Sequence, residues 1–431
     1  MRAKARVFCE RAGCYTGFQM AAGQASNAIG ARVAELARLP EVRECLQWFT
    51  REKQWITEQH LQLCRIPAPT FFEQKRAEWM AAQFRAMGCE VETDRAGNVV
   101  AFPEPGSGPL IGLTAHLDTV LAPRQKEEIT VDPEGRLHGP GVADNGAGLA
   151  ALLAVAKALR TWPPLKQRGA ALALVANVCE EGEGNLGGMR YLCTASRLAA
   201  RWRSFIVLDG PATDHITCQA VASRRFEIAY TGPGGHSWSD WGTANPVHAL
   251  SRAVTLFTER CGNGAGGRSS FNFGIIEGGS SINSIPTLAR AKLDLRSERE
   301  ETLEEWIGLL GAAVQEALEA ENRRAAAGKL SAKVREIGWR PSGRLAPEAP
   351  LLGYLRAVEA YLGIRSRLDA ASTDANIPLS LGLPAVSIGA GGQGGGAHTA
   401  AEWYDPEGRD LGLKRILLTL CLLMAEGAEG G

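Results

Sequence analysis

Between residues 31 and 64 apolar side chains recur at helical spacing, with Val33, Leu36, Leu39 and Val42 on one stripe. This predicts helical structure that ends where Pro67 and Pro69 break the chain. Residues 71–87 are amphipathic and predict another helix, stopped by Gly88. Short apolar runs follow at 98–102, 110–115, 171–178 and 205–208, each about as long as a buried strand. The Ala-, Leu- and Val-rich stretch 146–159 predicts a buried helix between the second and third of them. Strands alternating with helices argue for an α/β sheet that is at least partly parallel.

The pattern changes near residue 217. Residues 224–230 alternate as a half-buried strand does, and a helix is predicted over 246–260. Strands over 270–277 and 288–295, a long amphipathic helix over 302–321 and a strand over 331–337 complete the order β-α-β-β-α-β. That order is the ferredoxin-like signature. Four segments result: an N-terminal extension (1–30), the first part of an α/β domain (31–216), an inserted α+β domain (217–337), and the rest of the first domain (338–431). The last segment opens with a polar, proline-containing stretch at 338–350. A helix over 351–362, a strand over 385–388, a glycine-rich loop at 389–396 and a helix over 411–425 follow.

Composition narrows the class. Apolar residues make up 45% and charged residues 22%, an ordinary globular balance. Lys plus Arg and Asp plus Glu both number 47, so net charge offers no electrostatic case for nucleic acid or an anionic membrane. No apolar run is long enough to span a bilayer. Arg2, Lys4, Arg6, Glu10 and Arg11 lead into no continuous apolar segment, so the first thirty residues read as a weakly ordered extension rather than a secretory signal. The ten cysteines lie far apart with no C-x-x-C pair, which predicts reduced, mostly buried thiols and a cytoplasmic location.

The candidate chemistry sits where the predicted strands end, which is where open α/β sheets keep their sites. His116 leaves an apolar strand with Asp118 two residues on; the pair is either a polar turn or a metal-binding imidazole oriented by a carboxylate. Asp144, in Gly-Pro-Gly-Val-Ala-Asp-Asn-Gly, opens the Ala-rich helix and suits an N-cap as well as a ligand. Glu180 and Glu181 end a very apolar strand; they form an exposed acidic turn, or one binds a cation while the other acts as a general base. Asp209 ends a fourth strand, and His398 follows the glycine-rich loop. Two imidazoles and three carboxylates together suit Zn²⁺, with Mn²⁺ or Co²⁺ also fitting.

In order and rough spacing these segments resemble the M20 family of metallopeptidases, from about residue 50 onward. The resemblance rests on His116-Leu-Asp118, Asp144-Asn145, Glu180-Glu181, Asp209-Gly210, Gly235-His236, Asn283 ahead of Ile285-Pro286, Asp294-Leu-Arg296 and His398. It implies a zinc-peptidase-like catalytic domain, a mixed sheet flanked by helices, carrying an inserted ferredoxin-like domain that serves as lid and dimer interface. It implies two divalent ions bridged by Asp144, with His116 and Asp209 on one and Glu181 and His398 on the other. Asp118 would orient His116. Glu180 would take a proton from the attacking water and pass it to the leaving amine. The Asp144–Asn145 peptide is expected to be cis. His236 would stabilise the oxyanion, and Arg296 and Asn283 would contact substrate; as read from the residues alone, Arg296 could equally form an ion pair within the inserted domain. Ser372 to Asn376 resembles a pocket-lining segment of the family.

There are departures. Cys179 precedes the Glu pair where a polar residue such as Asp is common, Glu183 adds a nearby carboxylate that could compete with Glu181, and His138 is a stray donor. The implied activity is cleavage of small peptides, of aminopeptidase or tripeptidase type. An N-acyl-amino-acid deacylase using the same residues is the alternative, and a non-catalytic binding protein on the same fold a further one.

Overall fold

The structure, a computed structural model, describes residues 28–104, 106–165, 168–262 and 267–426. Nearly all of the 1–30 extension therefore lies outside the described residues. The chain divides into two compact units. One comprises the described residues up to Cys218, Leu345–Asp369 and those from Thr373 on; the other is Gln219–Arg344 with Ala370–Ser372.

The first unit is built on a mixed sheet. Four strands at its centre run parallel, in the order Ala171–Asn177, Leu110–His116, Trp202–Leu208, Ala385–Ile388. Antiparallel strands extend it, Val99–Phe102 and then Glu90–Thr93 on one side. On the other side Ser387 pairs with Thr217 of His215–Ala220. The parallel strands are short apolar runs because helices cover them. Gly146–Thr161 packs on Leu110–His116 and Ala171–Asn177, beside Lys53–Cys64 and Arg409–Ala425. Its apolar surface runs all round, and nearly every side chain of its first three turns is buried.

Several boundaries differ from the sequence reading for local reasons. The continuous stretch read at 31–64 is three helices, over 28–36, Pro40–Arg51 and Lys53–Cys64. Pro40 starts the second, since a proline is tolerated in the first helical turn. The helix read from 71 begins at Gln74, because Phe71 holds a positive φ of 74° and cannot enter it. The stretch read as a polar return at 338–350 still contains the end of strand Ser331–Arg340 and the short strand Gly343–Arg344.

A small four-stranded sheet went unread. It joins Gln393–Gly395, Trp403–Asp405, Leu137–His138 and Thr130–Val131 in that order, all antiparallel. Each strand has only two or three residues, too few for a period to show.

The second unit has the expected ferredoxin-like topology. Its antiparallel sheet runs Ser269–Gly278, Leu288–Ser297, Ala222–Thr231, Ser331–Arg340. Helices Pro246–Arg260 and Glu300–Arg324 pack together on one face. Phe226, Ile228 and Tyr230 alternate into the core against Phe257, Leu293, Leu303 and Trp306, and the Tyr230 hydroxyl donates to the Val314 carbonyl at 2.8 Å.

Among the described residues all eight cysteines are free and six are buried. No described helix is long and apolar enough to cross a membrane.

Candidate metal centre

The parallel order puts the carboxyl ends of four strands along one edge of the sheet. His116 is the last residue of its strand, Asp209 follows Leu208 directly, and Glu180 and Glu181 come just after Asn177. His398 lies in the loop between Gln393–Gly395 and Trp403–Asp405, in a left-handed conformation with φ of 64°. Cys179, just ahead of the Glu pair, is also left-handed, with φ of 59°. Strained backbone of this kind gathers at functional sites.

Asp144 does not cap its helix. Asn145 does, its side-chain oxygen accepting the Gly148 N–H at 3.2 Å while its amide donates to the Leu208 carbonyl at 2.7 Å. The Asp144–Asn145 peptide is cis, as the resemblance implies. The Asp144 carboxylate faces two imidazoles, with Oδ1 at 3.0 Å from His116 Nε2 and Oδ2 at 3.0 Å from His398 Nε2. His398 Nε2 also lies 2.9 Å from Glu181 Oε1.

Three donor groups result, each with its ligand-type atoms within 4.8 Å of one another: His116–Asp144–Asp209, Asp144–Glu181–His398 and His116–Glu180–Glu181. All five side chains read as ligands therefore converge, and Asp144 belongs to both of the first two groups. Glu183 is exposed on the turn Gly182–Gly184, and His138 pairs with Asp132 at 2.8 Å; neither belongs to a donor group among the described residues.

Asp118 is wholly buried, but its part differs in detail from the expected one. His116 Nδ1 donates to the Asp118 backbone carbonyl at 2.9 Å, while the carboxylate stands 3.6 Å from that ring. The carboxylate instead accepts the N–H groups of Glu180 at 3.0 Å and Glu181 at 2.8 Å, and the Thr70 hydroxyl at 2.9 Å. Asp118 thus holds the backbone of the Glu pair with its side chain and meets the imidazole through its carbonyl.

The electrostatics call for cations. Burial, followed by the Asp144 carboxylate and then those of Glu181 and Asp374, pushes Asp209 up to about 7 against the opposing pull of His116. Burial works against a charged His116, yet its contacts with Asp118 and Asp144 hold it well above the usual imidazole range. His398, hydrogen-bonded to Asp144 and Glu181, is raised to about 10. Carboxylates crowded until one is forced toward its neutral form are relieved by bound positive charge, and mixed imidazole and carboxylate donors fit zinc, manganese or cobalt.

The second unit holds the other three sequence-predicted residues. His236 and Asn283 are neighbours there: His236 pairs with Ser284 across two short strands, and the Asn283 carbonyl accepts the Ser237 N–H at 2.9 Å. His236 is exposed, and its Nδ1 accepts the N–H groups of Trp238 and Ser239, so a neutral ring carries its proton on Nε2. Arg296 donates to Asp294 at 2.6 Å, the intra-domain ion pair that its sequence left open.

Glu73 and Glu402, which the sequence reading passed over, and Asp374, within the segment read as pocket-lining, support the edge. Glu73 accepts the N–H groups of Phe71 and Cys179 at 3.0 and 3.1 Å, and Asp374 accepts the Asn177 amide at 2.6 Å. Glu402 is buried and accepts three N–H groups from the Asp144 loop. The signal for Glu402 was its place four residues after His398; for Asp374 it was the likeness of residues 372–376 to a pocket-lining segment, and Glu73 had none beyond being an acid at the start of a predicted helix.

At this sheet edge two imidazoles and several carboxylates gather round one shared Asp, a donor set that fits divalent cations. Residues 112–420 match the model of peptidase family M20/M25/M40, and the chain belongs to that family. It is 28% identical over 233 residues to a probable carboxypeptidase of Neosartorya fischeri, an overlap of 48% of this chain and 51% of that one. To a succinyl-diaminopimelate desuccinylase of Pseudomonas syringae it is 28% identical over 262 residues, 56% of this chain and 68% of that one. The chain spans about half the length of the first curated relatives it matches. A tripeptidase from Staphylococcus aureus has the same fold, with a TM-score of 0.68 at 20% identity over 86% of this chain and 98% of that one.

Proposed function

We propose that the chain is a two-ion, zinc-dependent exopeptidase that cleaves amide bonds in small peptides, of aminopeptidase or tripeptidase type. The observation that carries this reading is the sharing of Asp144 between the groups His116–Asp144–Asp209 and Asp144–Glu181–His398. Divalent ions held by these side chains would polarise a scissile carbonyl and make water acidic enough to attack at neutral pH. Glu180, almost fully buried and grouped with His116 and Glu181, takes a proton from the attacking water and delivers it to the leaving amine. Asp118 fixes the backbone of Glu180 and Glu181 so that base and ligand keep their separation. Burial of the edge favours both the proton transfer and the Coulombic interactions. His236 is assigned to the oxyanion and Asn283 and Arg296 to substrate contact, since each offers a hydrogen-bonding group on an exposed or half-exposed side chain. A cytoplasmic location accords with the free, mostly buried cysteines.

N-acyl amino acids are the alternative substrates, favoured by the likeness to a desuccinylase. A hydrolysis panel of dipeptides, tripeptides and N-acyl amino acids, run with and without chelator, tests the reading. Turnover of free peptides should stop on chelation and return with Zn²⁺, and Glu180→Gln should lower kcat by about 10²–10⁴-fold. Cleavage of the acylated set alone would overturn the peptidase assignment, and no chelator-sensitive turnover of any member would leave a binding protein.

A further inference from the structure

The loop that delivers Asp144 runs from Gly139 to Gly146 with little regular structure of its own. Its conformation is imposed from outside. Glu402, 3% exposed, accepts the N–H of Gly141 at 2.7 Å through one carboxylate oxygen, and those of Ala143 at 2.8 Å and Asp144 at 2.9 Å through the other. The Glu402 carbonyl accepts the Gly139 N–H at 3.0 Å, so one residue satisfies four amides of this segment. The small sheet adds a second tie, because Trp403 pairs with His138 just before the loop. Glu402 stands four residues after His398, and Gly396 and Ala401 meet so closely at the base of the His398 turn that a Cβ at Gly396 would lie 2.8 Å from the Ala401 carbonyl oxygen. The His398 turn and the Asp144 loop are thus one mechanical piece, joined at a buried carboxylate.

We propose that Glu402 is a positioning residue that sets both imidazole-facing oxygens of Asp144 and couples the two ion sites. This rests on the reading that the five converging side chains hold two ions. A carboxylate supplies two acceptor atoms and no donor, which is what three converging N–H groups require. Glutamine at 402 keeps one acceptor oxygen for Ala143 and Asp144 but turns an amide donor toward the Gly141 N–H. Asp144 then loses its fixed direction without losing any of its own atoms. Because Asp144 serves both donor groups, occupancy of both should suffer together.

The test is titration of the chelator-stripped full chain with Zn²⁺ alone, and separately with Co²⁺ followed by its visible absorption. The wild-type chain should take up two ions. Glu402→Gln should bind both about 10–100-fold more weakly, the range expected when a partner of a ligand is lost, with an altered cobalt spectrum. Glu402→Ala should be weaker still, so that glutamine counts as partial rescue. A wild-type chain that binds no ion would refute the metal-centre reading itself; two ions in the wild type with unchanged affinity and spectrum in Glu402→Gln would overturn only the part given to Glu402. Hydrogen exchange on the native chain gives a measurement that needs no folded variant. The Gly141, Ala143 and Asp144 amides should be strongly protected, and rapid exchange at all three would refute the clamp.

Discussion

His60 shows how one buried side chain makes stability depend on pH. It is fully buried, its Nε2–H donates to the Val142 carbonyl at 2.7 Å, and burial followed by the nearby Arg409 charge pushes its pKa down to about 3. In the unfolded chain the same ring titrates near 6.5. Between those values the unfolded state binds a proton that the folded state refuses, so stability falls as pH drops from about 6.5 toward 3, by about 1.4 kcal/mol per pH unit from this residue. Replacing His60 by Gln keeps a donor for Val142 and removes the titration. Urea unfolding at stepped pH should show a shallower acid slope in the variant, and identical slopes would refute the assignment. At this scale the sequence was legible where chemistry was concentrated and ambiguous where a residue type serves two purposes. Asp144 could cap a helix or bind an ion, and the neighbouring Asn145, which takes the cap with its own side chain, removes the first of these roles. Arg296 could grip a substrate or a lid carboxylate, and Asp294 is its partner in the fold. Glu402 carried too little local signal, because its three partners lie about 260 residues away along the chain.

Elements of clear period were readable in advance, and those defined by packing were not. The buried helix Gly146–Thr161 and the parallel strands announced themselves as apolar runs, and the order of the inserted strands gave its topology. The four-residue strand Glu90–Thr93 and the two- and three-residue strands beside His398 have no period to read. Helix starts were also set by tertiary contacts. At the first residue of Gly146–Thr161 a Cβ would lie 2.5 Å from Cys64 Sγ, 2.6 Å from the Gly141 carbonyl oxygen and 2.7 Å from His60 Nε2. Alanine there gains up to about 1 kcal/mol of helix propensity. Overpacking against a backbone oxygen costs about 1–3 kcal/mol, so the clash wins. Gly146→Ala should therefore lower the thermal midpoint and weaken ion uptake, since the same shift moves the Asp144 loop. A midpoint at or above wild type would show that the helix start can yield.

At the scale of the whole molecule the question is what the second unit does with its open sheet. Ser269–Gly278 is an edge strand on which Ile275 is 42% and Ile276 59% exposed, an apolar edge of the kind that proteins usually blunt or pair. A homodimer joined there is the arrangement we expect. Light scattering should give about twice the 46.0 kDa chain mass, and Ile276→Lys should halve it. A single-chain mass at every concentration would remove the dimer. Connectivity carries a further consequence, which concerns the ribosome. The inserted strands and helices lie consecutively between Ala222 and Arg340, so the four-stranded sheet and both helices of this unit are present as soon as that stretch emerges. The host sheet still lacks Ala385–Ile388, the strand that joins Trp202–Leu208 to His215–Ala220, and its donor cluster still lacks His398. In vectorial synthesis the inserted sheet therefore has all four of its strands while the host sheet still lacks a parallel strand, and four of the five converging donors are present. A nascent chain arrested before residue 385 carries every strand and helix of the inserted sheet, while the central sheet of the first unit lacks one of its parallel strands.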